Sequence, residues 1–174
     1  SPPRPSTSLH SAHASRAAGV ARDGSIAIAA DHGGSPLKER LKAHLASLGY
    51  NVIDCGTNST EAVDYPDFAY AVARLVSEGK AWRGIVVDGA GIGSAIAANK
   101  VPGVRAALCY DHATAVNSRE HNDANVLVVP ARFVSEEDGV QILKTWLETE
   151  YEGGRHERRV AKIVYTTMFG WDSA

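Results

Sequence analysis

The segment Ile85-Val86-Val87-Asp88-Gly89-Ala90-Gly91-Ile92-Gly93-Ser94, continuing as Ala95-Ile96-Ala97-Ala98-Asn99-Lys100, decides the fold. Its apolar opening reads as a buried strand, its three alternate glycines as a turn, and its alanine-rich run as a helix. Strand, turn and helix in that order form one unit of a parallel sheet with helical crossovers. Glycines let the backbone approach a ligand closely, and a helix start turns unpaired N–H groups towards it, so the turn is an anion cradle. Asp88 stands at the lip of that cradle, at a strand end where parallel sheets carry their chemistry. A carboxylate beside an oxyanion-binding loop points to proton transfer on a phosphorylated or carbonyl substrate.

The same alternation extends outward in both directions. Ile26–Ala30 and Tyr50–Asp54 read as strands. Between them, Pro36–Leu48 carries Leu37, Leu41, Leu45 and Leu48 at helical spacing and stops at Gly49. Pro66–Glu78 reads as a helix with proline at its start and Gly79 after it. Beyond the central segment follow a strand over Val104–Cys109, a helix over Ala113–Glu120, a strand over Val126–Val129 and a helix over Glu136–Leu147. Five such repeats predict an α/β, doubly wound, five-stranded parallel sheet with helices on both faces. A last polar helix, about Arg155–Ile163, has no strand after it and is expected to pack on a partner subunit. Residues 25–174 make a single domain in this reading, and residues 1–24, rich in Ser, Pro, Ala, His and Arg with no acid before Asp23, make a disordered tail.

With 174 residues and 44% hydrophobic content the chain can bury one core. A net charge of −2 and 7% aromatic residues give no field or stacking platform for nucleic acid. No apolar run reaches the roughly 18 residues of a membrane span. The two cysteines, Cys55 and Cys109, lie in apolar segments and read as small core residues of a reduced, cytoplasmic protein. The tail also has the Arg- and Ser-containing, acid-poor composition of a targeting segment, so an organelle or a protein compartment is the alternative location, with a docking partner for the tail.

Chemistry concentrates at the strand ends. These carry Asp31-His32-Gly33-Gly34, Asp88 with its glycines, Tyr110-Asp111-His112 and Pro130-Ala131-Arg132, while His121-Asn122-Asp123 precedes the fifth strand. Arg155 and Arg159 stand one helical turn apart. Each has a plainer reading: Asp31 as a helix cap, His121-Asn122-Asp123 as a capping turn, the arginines as a solvated face. The convergence of Asp31, His32 and Asp88 on one rim favours function. The histidines come singly, without HxH, HxxxH or CxxC spacing, so no metal is expected. A dinucleotide site is a remote alternative. Gly89-Ala90-Gly91 begins a fingerprint and Asp111 falls near the ribose-binding position, but the third glycine is replaced by Ser94.

Asp31-His32-Gly33-Gly34, Asp64-Tyr65-Pro66, Gly89–Lys100, His121–Leu127 and Gly153-Gly154-Arg155-His156, in that order, resemble the ribose-5-phosphate isomerase B family, among the RpiB/LacA/LacB sugar-phosphate isomerases. The resemblance runs from Ile26 to Ile163. It implies a metal- and cofactor-free aldose–ketose isomerase of Rossmann-like fold, a homodimer or homotetramer with shared sites. By the same resemblance Asp31 and His32 hold the sugar and its phosphate, His121 assists ring opening, and Asn122 binds hydroxyls. Gly89, Gly91, Gly93 and Ser94 belong to the loop that faces the enediolate, Arg132, Arg155 and Arg159 grip the phosphate, and Tyr65 lines the site.

One position departs from the pattern. Many members of the family carry a cysteine base where this chain has Asp88, and others a glutamate where it has Ser94. Asp88 as the base is the first reading, with partial burial raising its pKa towards neutrality. An isomerase of another sugar phosphate (a tetrose, hexose or deoxy sugar) is the second, and a non-catalytic sugar-phosphate binder the third.

Overall fold

We describe the protein from a computed structural model, which describes residues 24–56 and 64–170. The tail expectation for residues 1–23 therefore lies outside the described residues. Strands β1 (Ser25–Ala30), β2 (Asn51–Asp54), β3 (Arg83–Asp88), β4 (Ala106–Leu108) and β5 (Val126–Pro130) alternate with helices. These are α1 (Ser35–Ser47), α2 (Tyr65–Ser77), α3 (Ile92–Ala98), α4 (His112–Glu120) and α5 (Glu136–Glu148). A 3₁₀ turn, Gly154–His156, leads into a final helix, α6 (Glu157–Phe169). The strands form one parallel sheet in the order β2-β1-β3-β5-β4.

Central strands read as unbroken apolar runs because both their faces are covered. Ile26, Ile28, Ile85, Val87, Leu127 and Val129 meet α1, α4 and α5 through Leu37, Leu41, Leu45, Ala115, Leu143 and Trp146. Ala27, Ala29, Val86, Val126 and Val128 meet α2 and α3 through Phe68, Ala69, Val72, Ala97 and Ala98. The helix after β3 thus lies on the face opposite the helices that follow β1 and β5. The C-terminal end of β3 is therefore a topological switch point on both sides, with a crevice where neighbouring connections part. No helix among the described residues is long and apolar enough to cross a membrane.

The expected elements are all present, with several corrections. Strand β4 is three residues long rather than the six of Val104–Cys109. Leu48 is no core residue. It is the C-cap of α1 and 47% exposed, because the helix ends before its last apolar position turns inward. The last helix starts after Arg155, which sits in the 3₁₀ turn, and runs past Ile163 to Phe169. Nor is it simply polar: only Val160 is buried, while Ile163, Tyr165, Met168 and Phe169 are exposed. Cys109 is buried and its thiol is pushed up to about 11, chiefly by burial, whereas Cys55 is half-buried beyond the end of β2.

Candidate active site

Asp31 and Asp88 directly follow Ala30 and Val87, which are partners in the β1–β3 ladder. The Asp31 N–H donates to the Val87 carbonyl at 3.2 Å, so the two aspartates leave adjacent strand ends side by side. Neighbouring strands lie about 5 Å apart, so the two side chains start that close together. Asp31 is not the N-cap of α1; Gly34 is, and its N–H donates to Asp31 Oδ1 at 2.8 Å. A Cβ at Gly34 would stand 2.7 Å from the Val87 carbonyl oxygen, so only glycine lets the turn lie this close to β3. Asp88 is held at both oxygens: Gly89 N–H donates to Oδ1 at 2.9 Å and the Ser94 hydroxyl to Oδ2 at 2.9 Å. The carboxyl that its surroundings push above the ordinary range is Asp31, through burial first and then through Asp88.

The glycine turn is built as expected, with Gly91 as N-cap of α3 at φ 76°. The three glycines serve different ends. A side chain on Gly91 would strike Leu108, and one on Gly93 would strike the Tyr65 ring, which packs across the start of α3. A methyl group on Gly89 would lie 3.4 Å from the Arg132 guanidinium, which the β5 end brings to the loop. The Arg132 backbone N–H donates to the Gly89 carbonyl at 3.0 Å. His32, Tyr65 and Arg132 are exposed at this rim. Ser94 departs from expectation. It is fully buried, and its hydroxyl is spent on Asp88 rather than offered to a ligand.

The remaining site candidates lie elsewhere. His121 is the C-cap of α4 and precedes β5, so it stands at the N-terminal edge of the sheet, opposite Asp88. Strand β5 alone separates the two edges by roughly 15 Å. The turn around His121 is fixed by Asp123, at φ 49°, whose carboxylate takes bonds from Arg119 (2.9 Å) and Arg105 (3.3 Å). The His121 ring stacks on His156 at 4.2 Å, and Glu152 Oε2 lies 4.0 Å and 3.6 Å from their Nε2 atoms. Arg155 and Arg159 flank His156 and are exposed. Burial, then the charges of His121 and Arg155, hold the His156 pKa below the usual histidine value, with Glu152 opposing.

Sequence spacing shows no metal site, yet the fold gathers His121, Glu152 and His156 with ligand atoms within 4.8 Å. Their hydrogen bonding favours proton transfer over cation binding. The Asn117 amide donates to His121 Nδ1 at 2.9 Å, and its oxygen accepts from Asn122 at 3.3 Å. A neutral His121 with Nδ1 accepting carries its proton on Nε2, where it can be donated. Asn117 and Glu152 were not singled out from the sequence. Asn117 stands four residues before His121 on a helix, a spacing that signals the contact, whereas nothing local marks Glu152. Asp111 is fully used in a capping box with Thr114, and β5 lies between it and the glycine turn, so the dinucleotide pattern loses its acid.

Adjacent strand-end carboxylates and a glycine turn at the switch point of a doubly wound sheet define a Rossmann-like α/β enzyme. The model of the ribose/galactose isomerase family matches residues 26–163. Ribose-5-phosphate isomerase B of Escherichia coli is 46% identical over 139 residues, 80% of this chain and 93% of that one. Ribose-5-phosphate isomerase B of Clostridium thermocellum is 49% identical and superposes with a TM-score of 0.80 over 83% of this chain and 97% of that one. The Mycoplasma genitalium enzyme, solved with bound ribulose-5-phosphate, is 42% identical with a TM-score of 0.80 and the same coverage. The chain belongs to the ribose/galactose isomerase family. It is an isomerase, and the motif resemblance drawn from the sequence holds over the same residues.

Proposed function

We propose that the protein interconverts ribose 5-phosphate and ribulose 5-phosphate through a cis-enediolate, with Asp88 as the base. The observation that carries this is Asp88 itself. It is a carboxylate at the switch point, oriented by Gly89 and Ser94 at the mouth of a glycine turn. As the C1–O4 bond breaks, O4 takes the His121 Nε2 proton and the anomeric hydroxyl's proton returns to that nitrogen through solvent, which opens the furanose and leaves His121 neutral. Asp88 then takes the C2 proton. The C–H electron pair becomes the C1–C2 double bond, and charge moves onto O1, where the loop's N–H groups stabilise it. Asp88 returns the proton to C1, and the O2 proton passes to O1, leaving the ketone at C2. Enolisation by a carboxylate requires no metal or cofactor.

Asp31, His32, Tyr65 and Arg132 line one half of the site, and Asn122, Arg155 and Arg159 the other. The arginines hold the phosphate through forked N–H groups. Since the two halves lie at opposite edges of one chain, a second copy brings its His121 edge to the Asp88 edge of the first. The apolar residues that α6 leaves exposed suit that contact. A homodimer is then the smallest complete enzyme, and a homotetramer doubles it.

Turnover of ribose 5-phosphate, run beside a tetrose and a hexose phosphate, tests the reading. Asp88→Asn is expected to lower kcat by about 10²-fold or more, with partial recovery in Asp88→Cys. Full activity in Asp88→Asn would remove the base, and turnover of only another sugar would change the substrate.

A further inference from the structure

An aspartate with an ordinary pKa near 4 is ionised at neutral pH but is a weak base towards a C–H proton. The structure answers this at the strand ends. We infer that Asp31 is a positioning residue that strengthens Asp88 as a base, the two carboxyls acting as one pair that holds a single proton between them. The inference rests on the assignment of Asp88 as base.

Geometry places the pair. Asp31 and Asp88 leave adjacent strands at one level of the ladder, fixed by the Asp31 N–H to Val87 bond. Each carboxylate is tethered on its own side, Asp31 by Gly34 and Asp88 by Gly89 and Ser94, so neither can swing away to relieve repulsion. Two like charges held this close resist joint ionisation, and one proton shared between them is favoured. The upward displacement of Asp31 by burial and by Asp88 agrees in direction. Among the described residues, three other charged or titratable groups belong to this rim. His32 adjoins Asp31 in the chain, Tyr65 of α2 packs on Gly93, and Arg132 comes from the β5 end. Lys38 of α1 is turned away, bonded to Asp54 and the Gly56 carbonyl. In the fully ionised pair the C2 proton lands on Asp88 and is held jointly with Asp31, which is the stabilisation an isolated aspartate lacks.

The test combines two readouts on the full-length protein: pH profiles of kcat/KM, and a carboxyl ¹³C NMR titration without substrate. In wild type the Asp31 carboxyl is expected to titrate above the ordinary carboxylate range. In Asp88→Asn the Asp31 carboxyl should fall back towards that range; in Asp31→Asn the acid limb of kcat/KM should move down by about one pH unit, and plateau turnover should fall about tenfold. Asn keeps the bond to Gly34, so the turn is preserved. If Asp31 titrates identically in wild type and Asp88→Asn, the pairing is wrong, although Asp88 can still be the base. If instead Asp88→Asn turns over normally, the base assignment fails and this inference with it.

Discussion

Asp31 is held above its ordinary pKa, so its ionisation is disfavoured by folding, and the sign of the resulting pH dependence follows. A carboxyl with a raised folded-state pKa contributes stability that is fully present below the unfolded value, 3.8, and is lost as pH rises through the folded value. At neutral pH the folded chain therefore carries a disfavoured charge, and Asp31→Asn should melt about 2 °C higher than wild type. The gain should vanish as the pH approaches 4 in calorimetric scans. A lower melting temperature at neutral pH would show that Asp31 is stabilised by contacts it does not share with asparagine. A second residue-scale prediction concerns Asn117, whose amide at His121 Nδ1 favours the Nε2–H tautomer. Asn117→Leu should release it, seen as a mixed Nδ1–H/Nε2–H population in imidazole ¹⁵N spectra, with kcat on the furanose reduced about tenfold. An unchanged tautomer would assign that control to Glu152 instead.

At the scale of elements, the join between α1 and β2 depends on a lysine that no apolar pattern marks. Lys38 is 2% exposed, and its ammonium group lies 3.1 Å from Asp54, which Lys42 also reaches at 2.8 Å. Burial pushes Asp54 upward, but the Lys42, Gly56 and Lys38 contacts together bring it below the usual range. Asp54→Ala would leave a buried cation unpaired and should cost about 3 kcal/mol in denaturant unfolding. Lys42→Ala, which loses only the half-exposed partner, should cost under about 1 kcal/mol. Lys38 shows where sequence reading stops. The strands β1, β3 and β5 and the helix stripes at Leu37, Leu41 and Leu45 were legible because apolar spacing is a local property. So were Asp31, Asp88 and the glycine turn, which are contiguous with strand ends. Lys38 bonds to a residue 16 positions away, and Glu152 meets His121 across 31, so neither leaves a local trace. Ser94 was legible as a loop residue, but its burial behind Asp88 was not.

Across the whole molecule, the proposed division of the site between opposite sheet edges would make assembly part of the chemistry. Asp88→Asn and His121→Ala impair different halves. When the two variants are mixed, unfolded together and refolded, half of the dimers carry one of each, and one of the two sites in such a dimer is intact. Activity should return to about a quarter of wild type from two nearly inactive parents. No recovery would place both groups in a site built by one chain. The apolar groove of about 300 Å³ between β4 and α6, lined by Val104, Ala106, Ala107 and Ile163, continues the exposed face of α6. It adds to the surface available to a second copy.

The bare apolar flank of α6 also bears on how the enzyme is measured. If the proposed shared site holds, the halves of the catalyst meet only on encounter and it has no fixed specific activity. Rate per milligram should fall on serial dilution, recover on concentration, and lag after rapid mixing from a dilute stock. An assay at nanomolar enzyme could therefore report association of the subunits in place of sugar chemistry.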